Sequence, residues 1–384
     1  MTEHDESASG TVESTTPTLS NWPMILRELV AGHDLSAQDA AWAMDQVMTG
    51  TGTPAQVGAF LIGLQAKGAR LGEVSAIADV LLEHARPVPV PGVTLDVVGT
   101  GGDGAETVNF STMAAIVAAA CGATVVKHGN RAASSRTGTA DVLEELGLAL
   151  NLEPDAIVSC ADELGIAFAF AQVLHPAMRH AAPLRRELGV PTVFNILGPL
   201  INPARPRAGL IGCAQREMAP VMAAVFAERG DRVLVVRGEN GWDEISPYGR
   251  TSVWDTTSGE VVEASLEADG FGLSGIAADA LAGGSATENA EVCRATFGLP
   301  RDHPDLPLPC DVDVVRDVVV VNAAAALSTY AAAQAAAAGS FPPPGSLMAR
   351  IEAHLPEAHA AVESGAAGQL LRRWIDTSQA LRPN

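Results

Sequence analysis

The sequence predicts an α/β protein in which a small N-terminal helical bundle precedes a larger domain with a mostly parallel sheet flanked by helices. Apolar residues between positions 21 and 92 recur with a helical period, and no strand-like run interrupts them. Beyond residue 93, strand-like and helical runs alternate, which is typical of βαβ units. A chain of 384 residues, 47% hydrophobic and 4% aromatic, is long and apolar enough to bury the cores of both parts.

These patterns divide the chain into three parts. We expect a disordered tail over residues 1–20, which are rich in Ser, Thr and Glu, a helical domain over 21–92 and an α/β domain over 93–384. A segment at 175–206 interrupts the alternation of strands and helices, and we expect it to pack on the helical bundle. The sequence shows no internal repeat.

Capping residues mark the helices of the predicted bundle. Pro23 suits a first helical turn, and Ser36 precedes a predicted helix at 37–48. Thr53 and Gln56 form a capping box around Pro54, and Gly68 ends that helix. A further amphipathic helix is predicted at 72–84, and helices of this length with short connections pack as an antiparallel bundle.

The larger domain is predicted from its alternating runs. The predicted strands are 94–98, 123–127, 148–152, 167–171, 208–213 and 232–237. The predicted helices between them are 112–121, 140–146, 154–164 and 218–228. We further predict a short hairpin at 251–262, a buried Ala-rich helix at 322–338 and an amphipathic helix at 363–375.

Bulk charge and cysteine content exclude several classes of protein. The net charge of −21 argues against nucleic-acid binding, which depends on Lys and Arg neutralising phosphates. An anionic ligand must therefore be held by local cations, for which Lys127, Arg131, Arg185 and Arg186 are candidates. The five cysteines show no CxxC or metal-ligand spacing, and no signal peptide or membrane span is evident. We expect reduced thiols and a cytoplasmic protein.

Two stretches rich in glycine and hydroxyl side chains follow neighbouring predicted strands. The first is GTGGDG at 99–104 with TVNFST at 107–112, and the second is KHGNRAASS at 127–135. Free backbone N–H groups in such loops bind phosphate, and in open parallel sheets ligands lie at the carboxyl ends of strands. Two such loops side by side predict a ligand with more than one phosphate.

The first loop also fits the GxGxxG pattern of dinucleotide-binding folds. That fold needs an acidic residue at the end of the next strand, about 20 residues further on, to bind the ribose hydroxyls. Lys127 and His128 stand there instead. A cation at this position argues against NAD and favours a phosphate-rich ligand.

Three further positions carry candidate chemistry. Ser111 is predicted to cap the helix that begins at Thr112, and its hydroxyl can also face a metal ion. The acid pair Asp243 and Glu244 follows a predicted strand, where one or two carboxylates together with ligand phosphates suit Mg²⁺. Arg185 lies on a charged helix, where a surface salt bridge is the simpler interpretation.

Together these residues resemble the anthranilate phosphoribosyltransferase family over residues 22–373. The motifs are 99–103, 109–112, 127–135, 195–199, the acid pair, and Arg185 ten residues after His175. The resemblance implies a class III phosphoribosyltransferase fold, like that of nucleoside phosphorylases, and a homodimer. It also implies transfer of the phosphoribosyl group from phosphoribosyl pyrophosphate (PRPP) to the amine of anthranilate in tryptophan biosynthesis, without nucleic acid or membrane as a partner.

The resemblance assigns roles residue by residue. Ser111, Asp243 and Glu244 would hold two Mg²⁺ ions, and Gly99, Asn130 and Arg185 would receive anthranilate. No residue is assigned as a general acid or base. The residues expected to bind PRPP are Gly99, Gly102, Asp103, Thr107, Asn109, Phe110, Ser111, Thr112, Lys127, His128, Gly129, Asn130, Arg131, Ala132, Ala133, Ser134, Ser135 and Thr139.

Two alternatives stay open at the level of sequence. A pyrimidine nucleoside phosphorylase shares the architecture, but it would bind inorganic phosphate and a nucleoside without needing the acid pair. A relative that has lost catalysis and binds nucleic acid would show a basic surface and eroded motifs, whereas this chain is strongly acidic and its motifs are intact.

Overall fold

The computed structural model describes residues 20–132, 136–277, 279–340 and 345–383. Its N-terminal part is the predicted helical bundle. Asn21 and Ser36 cap the first two helices through their side chains, and Thr53 and Gln56 form the predicted capping box of the third. The helices are α1 (Trp22–Val30), α2 (Ala37–Met48), α3 (Pro54–Lys67) and α4 (Leu71–Glu83).

A seven-stranded sheet forms the centre of the larger part. Its order is β3-β2-β1-β4-β5-β6-β7; the first five strands are parallel, and the last two are antiparallel. The predicted α/β fold with a mostly parallel sheet is thus confirmed. The strands are β1 (Leu95–Gly99), β2 (Val125–Gly129), β3 (Ile166–Phe170), β4 (Ala208–Gly212), β5 (Arg232–Gly238), β6 (Arg250–Asp255) and β7 (Val262–Glu267).

Twelve further helices of the described chain surround the sheet or connect its strands. In chain order they are α5 (Phe110–Ala120), α6 (Thr139–Glu145), α7 (Pro154–Leu164), α8 (Ala171–Leu174), α9 (Ala182–Leu188), α10 (Phe194–Leu197), α11 (Ala219–Glu228), α12 (Ala286–Thr296), α13 (Val312–Ala337), α14 (Leu347–Glu352), α15 (Leu355–Glu363) and α16 (Ala366–Ala380). Short 3-10 turns lie at Pro176–His180, Gly198–Leu200 and Ala268–Phe271.

The strand order opens a crevice beside β1. The chain passes from β1 to β2 and β3 on one side and then returns to place β4 on the other side of β1. Ligands of open parallel sheets bind at such a reversal, beyond the carboxyl ends of the strands. Gly99 and Gly212 are register partners at those ends, so glycine ends both strands that flank the crevice.

The strand predicted at 148–152 is wrong. Most of these residues are buried, but they belong to no strand. The backbone N–H of Ala149 donates to Ser378 Oγ on α16, 3.0 Å away, so a helix satisfies a polar group that a neighbouring strand would otherwise pair. The hairpin predicted at 251–262 is longer than expected and consists of β6 and β7.

The Ala-rich region is a buried core helix, as predicted, but it begins earlier. Helix α13 is 26 residues long and packs against α5 and the sheet. Within the described part of the chain it is the one helix long and apolar enough to cross a membrane by length and composition, yet 78% of its most apolar stretch is buried inside the protein. That burial identifies α13 as the centre of the fold.

The segment at 175–206 packs on the helical bundle. Ala181, Phe194 and Leu197 share one apolar core with Ile25 and Phe60 of the bundle. The segment therefore lies between the bundle and the sheet, above the carboxyl ends of β1 and β2.

Candidate active site

A cavity of about 620 Å³ lies where the sheet, the segment at 175–206 and the loop before α12 meet. Most of the residues predicted to bind ligands line it together. They are Gly99, Gly102, Asp103, Thr107, Asn109, Ser111, Lys127, His128, Gly129, Asn130, Arg131, Ala132, Thr139, Arg185, Asp243 and Glu244.

Two residues that were predicted to bind PRPP, Phe110 and Thr112, do not line the cavity. Phe110 is fully buried, with its ring centroid 6.3 Å from that of Trp242, and Thr112 is buried beside Thr139. Both are core residues that support the loop. Ala133, Ser134 and Ser135 lie outside the described residues.

The glycine loop and the acid pair are joined directly. The backbone N–H of Gly101 donates to Asp243 Oδ2 at 2.7 Å. A Cβ atom on Gly99 would lie 2.1 Å from Asp243 Oδ2, and one on Gly212 would lie 1.6 Å from the carbonyl oxygen of Asp243. The acid pair can enter the crevice because both strand ends lack a side chain. Gly212 was not identified from the sequence.

A buried lysine faces the acid pair. Lys127 is only 1% exposed, and its Nζ donates to Ser111 Oγ at 3.1 Å and to the carbonyl oxygen of Val97. Burial lowers the pKa of Lys127 to about 8, against the opposing pull of Asp96, Glu244 and Asp243. Lys127 is thus an interior lysine whose amine is fixed by protein acceptors.

Burial also disfavours charge on the two acids. It raises the pKa of Asp243 to about 6, with the nearby Asp103 as the next cause, and it holds the pKa of Glu244 well above its usual value. Glu244 Oε2 is buried without a hydrogen-bond partner among the described residues. An unpaired buried carboxylate oxygen is costly unless a cation or donor completes it, so this residue fits a metal ligand.

The donor set fits Mg²⁺ held jointly with a phosphate ligand. In the described ranges, no group of three or more His, Cys, Asp or Glu side chains could hold a metal ion alone. Mg²⁺ commonly uses one or two carboxylates together with ligand phosphates and water. Ser111 does not cap a helix as predicted, because α5 begins at Phe110 and Asn109 is its cap residue. Its hydroxyl instead bonds to Lys127.

Two neutral histidines line the wall of the cavity. Their ring centroids are 5.3 Å apart, and His128 Nδ1 lies 2.9 Å from the carbonyl oxygen of Gly198. Burial lowers the pKa of His128 to about 3 and that of His175 to about 4. The His128 ring is therefore neutral and brings no positive charge to the cavity wall.

The lowered pKa of His175 predicts a pH-dependent stability. The unfolded chain binds the proton near its ordinary pKa of 6.5, so stability from this group is present at pH 7 and is lost as pH falls from about 6.5 toward about 4. Between pH 7 and pH 5, the wild type is expected to lose about 2 kcal/mol more unfolding free energy than His175→Gln. Urea unfolding at both pH values measures this difference.

The wild type and His175→Gln contain the same carboxylates, so the pH dependence due to carboxylates cancels when the two are compared. Replacing His303 with glutamine is the matched control, because that histidine is exposed and its side chain makes no ion pair among the described residues; this change should leave the wild-type pH dependence unchanged. Parallel pH profiles for the wild type and His175→Gln would contradict the assignment.

The two candidate arginines differ in their surroundings. Arg131 is paired with Asp141 at 3.0 Å and with Glu144 at 2.7 Å, so its charge is already used within the loop. Arg185 makes no ion pair within the described residues, and its guanidinium lies 5.0 Å from the ring centroid of Phe194. Burial lowers the pKa of Arg185. Of these two predicted ligand-binding arginines, only Arg185 has its charge free for an anionic ligand.

Two buried asparagines were missed by the sequence analysis. Asn322 on α13 accepts the N–H of Ile245 through Oδ1 at 3.1 Å and donates to the carbonyl oxygen of the same residue at 3.4 Å. It thereby fixes the backbone directly after Glu244. Asn289 lies near the glycine loop on the other side of the cavity. Each bonds to a residue far away in sequence, Asn322 to Ile245 and Asn289 to Asn109.

The sequence matches known families along most of its length. The helical bundle domain of the glycosyl transferase family matches residues 23–85, and the a/b domain of the same family matches residues 92–367. Fold and site together therefore define a two-domain glycosyl transferase.

Curated relatives narrow this class. The anthranilate phosphoribosyltransferase of Saccharopolyspora erythraea is 51% identical over 359 residues, covering 93% of this chain and 96% of the relative. That of Mycolicibacterium vanbaalenii is 48% identical over 369 residues, covering 95% of each chain. The chain belongs to the anthranilate phosphoribosyltransferase family.

Solved structures agree with this assignment. The anthranilate phosphoribosyltransferase of Thermus thermophilus superposes with a TM-score of 0.77 at 38% identity, covering 92% of this chain and 99% of that one. The Saccharomyces cerevisiae enzyme in complex with PRPP and Mg gives a TM-score of 0.78 at 27% identity, covering 94% of this chain and 98% of that one. These matches favour the transferase over the phosphorylase alternative.

Proposed function

We propose that this chain transfers the phosphoribosyl group of PRPP to the amine of anthranilate, giving N-(5-phosphoribosyl)anthranilate and pyrophosphate in tryptophan biosynthesis. One observation carries the proposal. A single cavity brings together two glycine loops, a buried lysine, a buried acid pair and an unpaired arginine. These groups suit a diphosphate, its metal ions and a second, carboxylate-bearing substrate.

The PRPP end of the cavity is assigned to the two loops. We propose that the backbone N–H groups of Gly102 and Asp103, together with the hydroxyls of Ser111 and Thr139, bind its phosphates and ribose. The N–H groups of Thr100, Gly101 and His128 already donate within the protein. Gly101 and Gly102 adopt positive φ angles of 66° and 77°, which turn the loop backbone toward the cavity. The guanidinium of Arg131 is held by Asp141 and Glu144, and its backbone N–H donates to Asn130 Oδ1 at 2.8 Å, so Arg131 shapes the second loop.

Mg²⁺ is proposed as the cofactor, held by Asp243, Glu244 and Ser111, with two ions in each site. Bound Mg²⁺ stabilises the negative charge of the departing pyrophosphate. The unpartnered oxygen of Glu244 supports the assignment. The yeast relative, whose structure contains PRPP and Mg, supports the choice of metal.

The reaction needs positioning and electrostatics more than proton transfer. As the bond from the anomeric carbon to pyrophosphate breaks, negative charge grows on the leaving group and positive charge grows on the sugar ring. Lys127 and the loop N–H groups stabilise the former. The neutral anthranilate amine then bonds to the anomeric carbon and loses a proton, so no covalent enzyme intermediate forms.

Anthranilate is assigned to the side of the cavity formed by α9. Arg185 is proposed to face its carboxylate, and Asn130 and the backbone of Gly99 to lie near its amine. The yeast relative has been solved in complex with 4-fluoroanthranilate, with a TM-score of 0.76 at 26% identity, which supports an anthranilate site in this fold.

Replacing Arg185 with alanine tests this assignment. The KM for anthranilate is expected to rise by about tenfold or more, because a charged hydrogen bond contributes about 1.5–3 kcal/mol. The KM for PRPP should change less than about twofold. Arg186→Ala is the matched control, because that residue is exposed and does not line the cavity. Equal effects on both substrates would refute the role of Arg185.

Assembly and location are also proposed. We infer a homodimer formed through the helical domains and a cytoplasmic enzyme without a nucleic-acid or membrane partner. We also propose a helical domain at 21–92, joined by 175–206, and an α/β domain at 93–384. The bundle and the segment share one apolar core, and residues from β1, β4, α11 and β5 complete that core.

The activity is tested with the full chain, PRPP, Mg²⁺ and anthranilate. Anthranilate fluorescence is expected to fall with time, and omission of PRPP or Mg²⁺ should abolish the change. The phosphorylase alternative is tested in parallel by supplying thymidine and inorganic phosphate and measuring released thymine. Thymine release without any loss of anthranilate would overturn the proposal.

A further inference from the structure

A chain of amide hydrogen bonds lies behind the first glycine loop, and its central residue is outside every motif found in the sequence. Asn289, in the first turn of α12, is 3% exposed. Its Oδ1 accepts the backbone N–H of Gly284 at 2.8 Å, and its Nδ2 donates to Asn109 Oδ1 at 2.9 Å. The two bonds connect α12 to the loop that leads into α5.

The direction of this chain is fixed by its first member. A backbone N–H can only donate, so Asn289 must direct its oxygen to Gly284 and its amide nitrogen to Asn109. Asn109 must then accept through its oxygen. Its own Nδ2 has no acceptor among the described residues and lies at the cavity, where it can donate to a ligand oxygen.

The bond from Asn289 engages Asn109 Oδ1, the atom with which an asparagine would usually cap a helix. An asparagine at the start of a helix normally accepts a first-turn N–H through its side-chain oxygen. Asn109 is the cap residue of α5, yet its side chain makes no such bond. The N–H of Phe110 donates to the carbonyl oxygen of Val108 and that of Thr112 to the carbonyl oxygen of Asn109, which leaves the N–H of Ser111 without an acceptor among the described residues. A free N–H at a helix N-terminus favours a negatively charged ligand.

Several hydrogen bonds fix the backbone next to Asn289. Ser285 and Glu288 form a capping box at the start of α12, and Thr137 Oγ1 donates to the carbonyl oxygen of Gly284 at 2.7 Å. The N–H of Gly283 donates to the carbonyl oxygen of Glu106 at 2.7 Å. The amide chain thus rests on backbone that is held from both sides.

We infer that Asn289 is a positioning residue for PRPP: it orients Asn109 to donate to an oxygen of the phosphorylated sugar and keeps the start of α5 open to phosphate. This inference rests on the proposed function. Asn289 acts through Asn109 and does not itself react.

A double-mutant cycle of Asn289→Ala and Asn109→Ala tests the inference. Asn289→Ala alone is expected to raise the KM for PRPP about tenfold, with the anthranilate KM within about twofold. In the Asn109→Ala background the same change should have almost no further effect, because the residue through which it acts is gone. Calorimetric binding of PRPP in the presence of Mg²⁺ gives the same comparison without turnover.

A second variant keeps the test decisive if Asn289→Ala fails to fold. Asn289→Asp still accepts the Gly284 N–H but presents an oxygen to Asn109, so Asn109 must turn its carbonyl oxygen toward the ligand. PRPP affinity is expected to fall more than about tenfold. Because the new carboxylate is buried and lowers Tm, affinity is measured by calorimetry well below the Tm of the variant. Asn151→Asp adds the same charge at an exposed site remote from the cavity and should leave PRPP affinity unchanged.

Other outcomes separate the inference from the function on which it rests. Multiplicative effects of the two alanine substitutions, or equal losses for both substrates, would show that Asn289 has only a structural role. A wild-type chain that consumes no anthranilate would reject the proposed function, whereas normal wild-type turnover with an unaffected Asn289→Asp variant would reject the inference alone.

Discussion

Replacing Glu244 with glutamine is expected to reduce kcat/KM by about 100- to 1,000-fold, the usual effect of removing one group that stabilises charge in the transition state. The Mg²⁺ concentration needed for half-maximal activity should rise at least about tenfold, because a neutral amide is a weaker ligand for this cation. Steady-state rates over a range of Mg²⁺ concentrations measure both effects.

Glu244→Gln is expected to keep its stability although it loses activity. Glu244 is buried, its pKa is raised by that burial, and one of its oxygens has no hydrogen-bond partner among the described residues. An amide of the same shape avoids the cost of burying a charge, so the unfolding free energy should be equal to or higher than that of the wild type. Destabilisation together with an unchanged Mg²⁺ requirement would identify Glu244 as structural.

The matched control is Glu239→Gln. Glu239 is exposed near the same end of the sheet, and its substitution removes the same charge. Its kinetics and Mg²⁺ requirement are expected to match those of the wild type, since exposed charges at this distance are largely screened by salt.

Replacing Gly212 with alanine is expected to cause a comparably large loss. The added Cβ would lie 1.6 Å from the carbonyl oxygen of Asp243, so the backbone of the acid pair must move. The Asp243 side chain is held by the N–H of Gly101, and the backbone N–H of Ile245 is held by Asn322, so the acid pair cannot move without breaking a hydrogen bond. We expect activity to fall at least about 100-fold and the unfolding free energy to fall by about 1–3 kcal/mol.

Gly209→Ala, in the same strand, distinguishes this effect from a general intolerance of alanine in β4. Its Cβ would meet the ends of the Ile211 and Val233 side chains at 2.9 and 3.3 Å, and such side chains can shift. The control should keep most of its activity. If both variants lose activity equally, the contact with Asp243 is not the cause. Activity assays and urea unfolding of the two variants make the comparison.

The loops of the site could be predicted from sequence because their chemistry is local. A run of glycines and hydroxyls after an apolar strand has few other structural uses, and the carboxyl ends of parallel strands bring such loops together. Lys127 was identified for a similar reason, since it stands at the end of a predicted strand where a dinucleotide-binding fold would have an acidic residue.

The remaining features depend on contacts between residues distant in sequence. Gly212 looks like any glycine in a buried strand until Asp243 is placed against it. Asn289 and Asn109 are 180 residues apart, and Asn322 is 77 residues from Ile245. The false strand at 148–152 has the same origin, because nothing local shows that Ser378 satisfies its backbone.

Helix α13 joins the hydrophobic interior to the acid pair. Its consecutive alanines, Ala323 to Ala326, are fully buried next to Asn322, and the helix packs closely on α5. Any larger side chain on that stretch must displace the helix. Asn322, whose carboxamide binds the backbone of Ile245 directly after Glu244, would move with the helix. The packing of this core and the position of the acid pair are therefore coupled, and neither can change in evolution without affecting the other.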